Sequence, residues 1–173
     1  ATIKAHAYAA ASGMACLADD SGLEIDALQG RPGVISSHYC TDGQEAGMTR
    51  VQRDQANNQR VLRELEGVPP HQRTARFVCT MALWLRTANP ACTLVRGTFE
   101  GRIGLPTEVP RGSHGFGYDP LFLVAPDFTH TGAELDPATK NRLSHRAAAA
   151  GQMAQQIRAL LAGNPNALGP DRS

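Results

Sequence analysis

A chain of 173 residues with 42% hydrophobic and 19% charged residues can build one core of domain size, which excludes the disordered, collagen-like and coiled-coil classes. Lys+Arg 17 against Asp+Glu 16 leaves the net charge near zero with no block of like charge, which argues against a nucleic acid polymer as partner. The longest apolar run, Phe77 to Leu85, is too short to cross a bilayer and contains Thr80, so no membrane partner is expected.

The chain opens with Thr2 to Ala11, rich in good helix formers and ending at Ser12-Gly13, which predicts a helix with glycine just past its last turn. The stretch Ala1 to Ala18, alanine-rich with Lys4, imitates a secretory signal, but His6, Tyr8 and Ser12 interrupt its apolar character. Met14 to Ala18 is a short apolar run, and Leu23, Ile25 and Ala27 alternate with acids, so two strand-like pieces are expected to flank an acidic turn at Asp19-Asp20-Ser21-Gly22. Gln29-Gly30-Arg31-Pro32-Gly33 is turn chemistry. From Thr41 or Asp42, either one an N-cap, a helix carries Met48, Val51, Val61, Leu62 and Leu65 and stops at Gly67.

Thr74 to Leu85 is apolar on both alternating faces, as expected of a central strand, and Cys92 to Phe99 reads as a second strand with Gly97 inside it. Gly101 to Asp119 holds glycines at 101, 104, 112, 115 and 117 and reads as a loop. Leu121 to Val124 is a brief strand. The last long segment predicts a helix with Leu143, Ala147, Ala150, Ala154, Ile157 and Leu161 on its buried face, followed by a frayed tail from Gly163 to Ser173. Strands interleaved with helices give the α/β class. Cys16, Cys40, Cys79 and Cys92 form no C-x-x-C pair and read as reduced, buried thiols of a cytoplasmic protein.

Three segments carry candidate chemistry. Adjacent carboxylates at Asp19 and Asp20 repel by about 4 kcal/mol at 4 Å and an effective dielectric of 20, so a cation such as Mg²⁺ is a natural partner. The alternative is an acidic turn that caps the next element. Pro110 to Pro120 interleaves glycines with Phe116 and Tyr118, which suits a loop that brings backbone N–H groups and an aromatic face to a flat ring. Its alternative is a turn whose aromatics are core anchors. Lys140-Asn141-Arg142-Leu143-Ser144-His145-Arg146 sets cations at a helix start, where the dipole disfavours them. An anionic or hydrogen-bond-accepting ligand would compensate, and a solvated basic helix start is the bland alternative. Ser21 lacks a nucleophile-elbow pattern.

With these residues identified, the chain resembles the non-canonical purine nucleoside triphosphate pyrophosphatase family, which includes inosine triphosphatase. The resemblance rests on Leu17-Ala18-Asp19-Asp20-Ser21-Gly22-Leu23, continuing through Arg31-Pro32-Gly33-Val34 to Tyr39, and on Gly115-Phe116-Gly117-Tyr118-Asp119-Pro120-Leu121-Phe122. Ala133-Glu134-Leu135, followed by Lys140-Asn141 and Ser144-His145-Arg146, extends it, with weaker agreement at Arg73-Thr74-Ala75-Arg76-Phe77. It implies a central mixed β-sheet flanked by helices, in two lobes with a cleft between them. It also implies Mg²⁺-dependent hydrolysis of inosine, deoxyinosine and xanthosine triphosphates to the monophosphate and pyrophosphate, in a cytoplasmic homodimer.

By the same resemblance Asp20 is the proton acceptor and metal ligand and Asp19 its support, with Ser21 contacting substrate. Phe116, Gly117, Tyr118 and Asp119 form the base-side loop. Lys140, His145 and Arg146 contact the nucleotide, the last two near the purine 6-position, and Lys4 resembles a family lysine near the phosphates. Donors there suit a 6-keto acceptor, and adenine would leave them unpaired. The family's Thr/Ser-x-Asn-x-x-Lys phosphate motif, its strand and a later metal-binding glutamate precede the point where this chain starts. The expectation is therefore one domain over residues 1–173, N-terminally shortened, since loss of an internal strand would uncover a sheet edge. A nucleotide-binding or regulatory module without catalysis is the alternative. A phosphatase using the acid pair as nucleophile and acid is a third reading.

Overall fold

The alanine-rich opening folds as expected. Helix α1 (Thr2–Ser12) buries Ala5 and Ala9 and stops at Gly13, whose left-handed backbone (φ 74°) lets its N–H reach the Ala9 carbonyl at 3.0 Å. The computed structural model describes residues 1–85, 91–164 and 167–168. The next element corrects the sequence reading: β1 (Cys16–Ile25) is one strand that runs straight through Asp19-Asp20-Ser21-Gly22, with no acidic turn. Cations from two helices lie against the acids, so the repulsion between the adjacent carboxylates is offset in place and the strand continues through them. Gly22 is required there, because a Cβ would lie 2.3 Å from the Gly33 carbonyl oxygen.

After a short 3-10 turn (Asp26–Leu28), Gln29 and Gly30 take positive φ (57° and 82°) and return the chain as β2 (Pro32–Gly33). The expected turn thus ends in a strand antiparallel to β1, with Leu23 opposite Gly33 and Glu24 opposite Pro32. A second 3-10 segment (Ser36–Thr41) ends at Asp42, and helix α2 (Arg50–Glu64) begins later than the sequence suggested. Its cap is Thr49 rather than Thr41 or Asp42: Thr49 Oγ1 accepts from the Gln52 N–H while the Gln52 side chain accepts from the Thr49 N–H, a reciprocal capping box. Positive φ at Asp42, Gly43 and Gly47 is incompatible with an earlier start. Met48 and Val51 are consequently exposed, and Val61 and Leu65 supply the buried side.

β3 (Thr74–Leu85) and β4 (Ala91–Ile103) follow, the latter consuming the first residues of the expected glycine-rich loop. A 3-10 turn (Asp119–Leu121) leads into β5 (Phe122–Val124), antiparallel to β4 with Arg102 opposite Leu123. The strand order is β2-β1-β3-β4-β5. The expected α/β class with a central sheet and flanking helices holds, and the two pairings whose register is described are both antiparallel.

The single C-terminal helix expected from the sequence is two. α3 (Pro137–Leu143) carries an Asp136 cap, and α4 (His145–Gly163) starts after Ser144, whose backbone is extended (φ −67°, ψ 154°). Leu143 is exposed, and the buried residues of α4 are His145, Ala149 and Met153, a stripe displaced from the one predicted. Of the expected tail, residues 165, 166 and 169–173 lie outside the described residues, while Leu168 packs against apolar side chains of the core. Only Cys79 is buried; Cys16, Cys40 and Cys92 are half-buried, which corrects their common assignment to the interior.

The chain divides into two compact units. The first comprises Ala1–Asp20, Cys79–Thr98 and His145–Ser173, with a core of Cys79, Leu83, Leu85, Val95, Ala149 and Met153. The second comprises Ser21–Val78 and Phe99–Ser144. Its core centres on Phe122, whose ring lies 4.6 Å from that of Phe77 and 5.6 Å from that of Phe99. Here Arg73 is buried and acts as a backbone tie, donating to the carbonyls of Ile103 (3.0 Å), Leu65 (2.8 Å), Val68 (3.3 Å) and Gly104 (2.9 Å). Its pKa is pushed down by burial.

Candidate active site

The first unit gathers five of the residues singled out in the sequence. The last residues that β1 gives it are Asp19 and Asp20. Lys4, one turn into α1, sets its Nζ 3.0 Å from Asp20 Oδ1 and 3.5 Å from the Asp19 carbonyl oxygen. Arg146, in the first turn of α4, sets its Nε 3.7 Å from Asp19 Oδ2. His145 is buried beside it, with Nε2 3.5 Å from Arg146 Nη1. The two acids therefore have different partners, as alternation along a strand requires of consecutive side chains. Asp20 goes with Lys4, and Asp19 anchors Arg146.

Both pairs are solvent-accessible, and exposed pairs of this kind contribute roughly 0–1 kcal/mol to stability. They do more for position than for the fold. Arg146 stands at a helix N-terminus, where a cation is disfavoured, and the Asp19 carboxylate supplies local compensation. Among the described residues no group of three or more His, Cys, Asp or Glu side chains is arranged to hold a metal ion. A site using one protein carboxylate plus ligand oxygens and water remains chemically apt at Asp20, since Mg²⁺ favours that donor set.

The second unit holds Ser21, Phe116, Gly117, Tyr118, Asp119 and Lys140. The Phe116–Asp119 loop is built from its own side chains and from three neighbouring segments. Asp119 is 3% exposed, accepts from the Phe116 N–H at 2.7 Å and pairs with the Lys140 ammonium of α3. Gly115 (φ 80°) is obligatory, because a Cβ there would lie 2.3 Å from Asp119 Oδ2. Tyr118 is buried and donates from its hydroxyl to the Ser36 carbonyl at 2.7 Å; burial drives its pKa up. It is thus a core anchor rather than a surface stacking group. Phe116 alone among the loop's aromatics presents its ring, at 52% exposure.

Ser21 Oγ is buried and finds no hydrogen-bond partner among the described residues. A hydroxyl in that condition carries an uncompensated desolvation cost unless a ligand or water meets it. The remaining contacts of the loop come from residues the sequence reading passed over. Asp54 Oδ2 accepts from the Gly117 N–H and Asn58 Nδ2 donates to the Gly117 carbonyl, both at 3.1 Å, and the Arg50 guanidinium lies 4.7 Å from the Phe116 ring centre. All three lie on α2, spaced four residues apart, a stripe that looks in sequence like an ordinary solvated helix face. A second network, also missed, joins Arg60 to Glu64 (2.8 Å) and Asp42 (2.7 Å), with Tyr39 donating to Glu64. Burial and the Glu64 carboxylate push the Tyr39 pKa up to about 12.

In sequence, the boundaries between the two units fall at Asp20-Ser21, Val78-Cys79, Thr98-Phe99 and Ser144-His145. One unit offers a carboxylate beside a lysine and an arginine beside a histidine. The other offers an exposed aromatic ring on a braced glycine loop. The sequence model of the Ham1 family matches residues 1–156. The chain is 49% identical over 148 residues to the dITP/XTP pyrophosphatase of Shouchella clausii, covering 84% of this chain and 67% of that protein. It is 43% identical over 158 residues to the dITP/XTP pyrophosphatase of Vibrio vulnificus, covering 91% and 73%. Among solved structures, a HAM1 protein from Coxiella burnetii superimposes with a TM-score of 0.76 at 42% identity, over 91% of this chain and 74% of that one.

Proposed function

Because the chain belongs to the Ham1 family, we propose that it hydrolyses non-canonical purine nucleoside triphosphates, dITP, ITP and XTP, to the monophosphate and pyrophosphate. The observation that carries this reading is the Asp20–Lys4 pair: an accessible carboxylate and an accessible ammonium 3.0 Å apart, in a chain whose relatives are named dITP/XTP pyrophosphatases.

Asp20 takes the proton of the attacking water, and Lys4 meets phosphate charge. Asp19 serves catalysis indirectly by anchoring Arg146. Phe116 takes the purine face, with Gly117, Tyr118 and Asp119 holding the loop that presents it, and Ser21 offers its unpartnered hydroxyl to the substrate. His145 and Arg146 supply donors for a 6-keto oxygen, which adenine would leave unpaired. Lys140 contributes through Asp119, the carboxylate that accepts from the Phe116 N–H. A Mg²⁺ ion fits the donor chemistry of Asp20 together with substrate phosphates, and when bound it would neutralise phosphate charge and acidify a coordinated water. In this reading the enzyme is a cytoplasmic homodimer; no helix among the described residues is long and apolar enough to cross a membrane.

The test is pyrophosphate release from inosine triphosphate with Mg²⁺, for the wild type and Asp20→Asn. A loss of about a hundredfold or more in kcat is expected of the variant. Equal rates would overturn the role of Asp20, and binding of inosine nucleotides without turnover would replace the hydrolase with a binding module.

A further inference from the structure

Helix α2 reaches the aromatic loop through one face. Asp54 and Asn58 between them satisfy the N–H and the carbonyl of Gly117, a residue at φ 62°, and so fix the backbone next to Phe116. Arg50 completes the stripe, with its Nε 3.9 Å from Asp54 Oδ2 and its guanidinium carbon 4.7 Å from the Phe116 ring centre. Lys140 Nζ approaches the same ring at 5.6 Å.

Arg50 is placed against the interests of its own helix. It is the first residue of α2, whose first turn holds no acid, and a cation there opposes the helix dipole. Its side chain is 64% exposed, so the 3.9 Å pair with Asp54 adds little to stability. What Arg50 does touch is the ring that the proposed function assigns to the purine.

We propose that Arg50 is a positioning residue for the base, the outer wall of a stack in which the purine lies between the Phe116 ring and the Arg50 guanidinium. The inference rests on the reading of the loop as the base site. A guanidinium is planar, weakly hydrated and at home on an aromatic face, and its long stem lets it pass from the phenyl ring to an incoming purine without moving the helix. An ammonium at this position is a strongly hydrated point charge and makes a poorer cover. Stacking uses the ring face that every purine has, so Arg50 sets affinity and leaves discrimination at the 6-position to other groups.

The experiment measures kcat and KM for inosine triphosphate, and inhibition by inosine monophosphate, for wild type, Arg50→Ala and Arg50→Lys, with thermal unfolding as the folding control. Arg50→Ala is expected to raise KM and the inhibition constant together by about tenfold with kcat within about twofold, and Arg50→Lys to recover only part of the loss. Unchanged KM and inhibition constant in Arg50→Ala, or a fall in kcat alone, would overturn the stack while leaving the hydrolase reading intact. A well-folded wild type that neither releases pyrophosphate nor binds inosine monophosphate would overturn both.

Discussion

Gly97 of β4 and Ala149 of α4 meet backbone to backbone: a Cβ on Gly97 would lie 2.4 Å from the Ala149 nitrogen and 2.3 Å from the His145 carbonyl oxygen. The contact packs the first turns of α4, which carry His145 and Arg146, closely on β4. Neither obstructing atom belongs to a side chain, so no rotamer change can relieve the clash. Gly97→Ala is expected to cost about 1–3 kcal/mol, the range for overpacking a tight contact. The urea midpoint measures it, and an unchanged midpoint would mean that α4 shifts freely on the strand.

Lys4 separates stability from function. Its pair with Asp20 is exposed, so Lys4→Met should change the unfolding free energy by less than about 1 kcal/mol. In the proposed hydrolysis Lys4 meets developing phosphate charge, so Lys4→Met should nevertheless lower kcat/KM for inosine triphosphate by about a hundredfold. A variant as active as the wild type would remove Lys4 from the site.

Where the sequence was legible, one short-range rule decided the element. Alanine content and Gly13 define α1, and the unbroken apolar run from Thr74 to Leu85 defines β3 with the same bounds in sequence and structure. Where it was not, a remote partner decided. Asp19-Asp20-Ser21-Gly22 breaks the apolar pattern and reads locally as a turn, yet Lys4 and Arg146 make the acids tenable in a strand. The buried stripe of α4 differs from the sequence reading because His145 and Ala149 pack against Gly97, some fifty residues earlier in the chain, a contact no local pattern shows. The site shows the same division. Asp20, Phe116 and Arg146 stand out because their residue types are unusual where they occur. Arg50, Asp54 and Asn58 do not, because only the fold shows that this polar stripe faces Gly117 rather than water.

Glu108 gives a pH signature. Its carboxylate receives both Arg102 Nη atoms (2.8 and 2.7 Å) and the Leu105 N–H (2.8 Å). The Arg102 guanidinium first, and that N–H second, hold its pKa down from 4.5 to about 2. A carboxylate depressed on folding binds its proton less tightly in the native state, so its contribution is full above pH 4.5 and is lost as pH falls toward 2. The difference in melting temperature between wild type and Glu108→Gln is therefore expected to be constant from pH 7 to about 5 and to shrink below that. A difference that stays constant down to about pH 2.5 would show that the fork does not depend on ionisation.

Asp119 and Lys140 form the pair on which the Phe116–Asp119 loop depends. The carboxylate is buried, and it also accepts from the Phe116 N–H, while glycines at 115 and 132 leave it room. Asp119→Asn keeps the shape and an acceptor but leaves the Lys140 ammonium without its counter-charge. Breaking a buried pair from one side typically costs about 3–5 kcal/mol, because the surviving charge remains desolvated. Removing both charges avoids that residue of cost, so Asp119→Asn with Lys140→Met should be more stable than the sum of the two single losses implies, by at least about 1 kcal/mol in a double-mutant cycle. Strict additivity would show that the two groups do not sense each other. The cycle also governs how activity is read: a fall in turnover in Lys140→Met that tracks the loss of stability belongs to the loop, whereas a raised KM at full stability places Lys140 on the nucleotide itself.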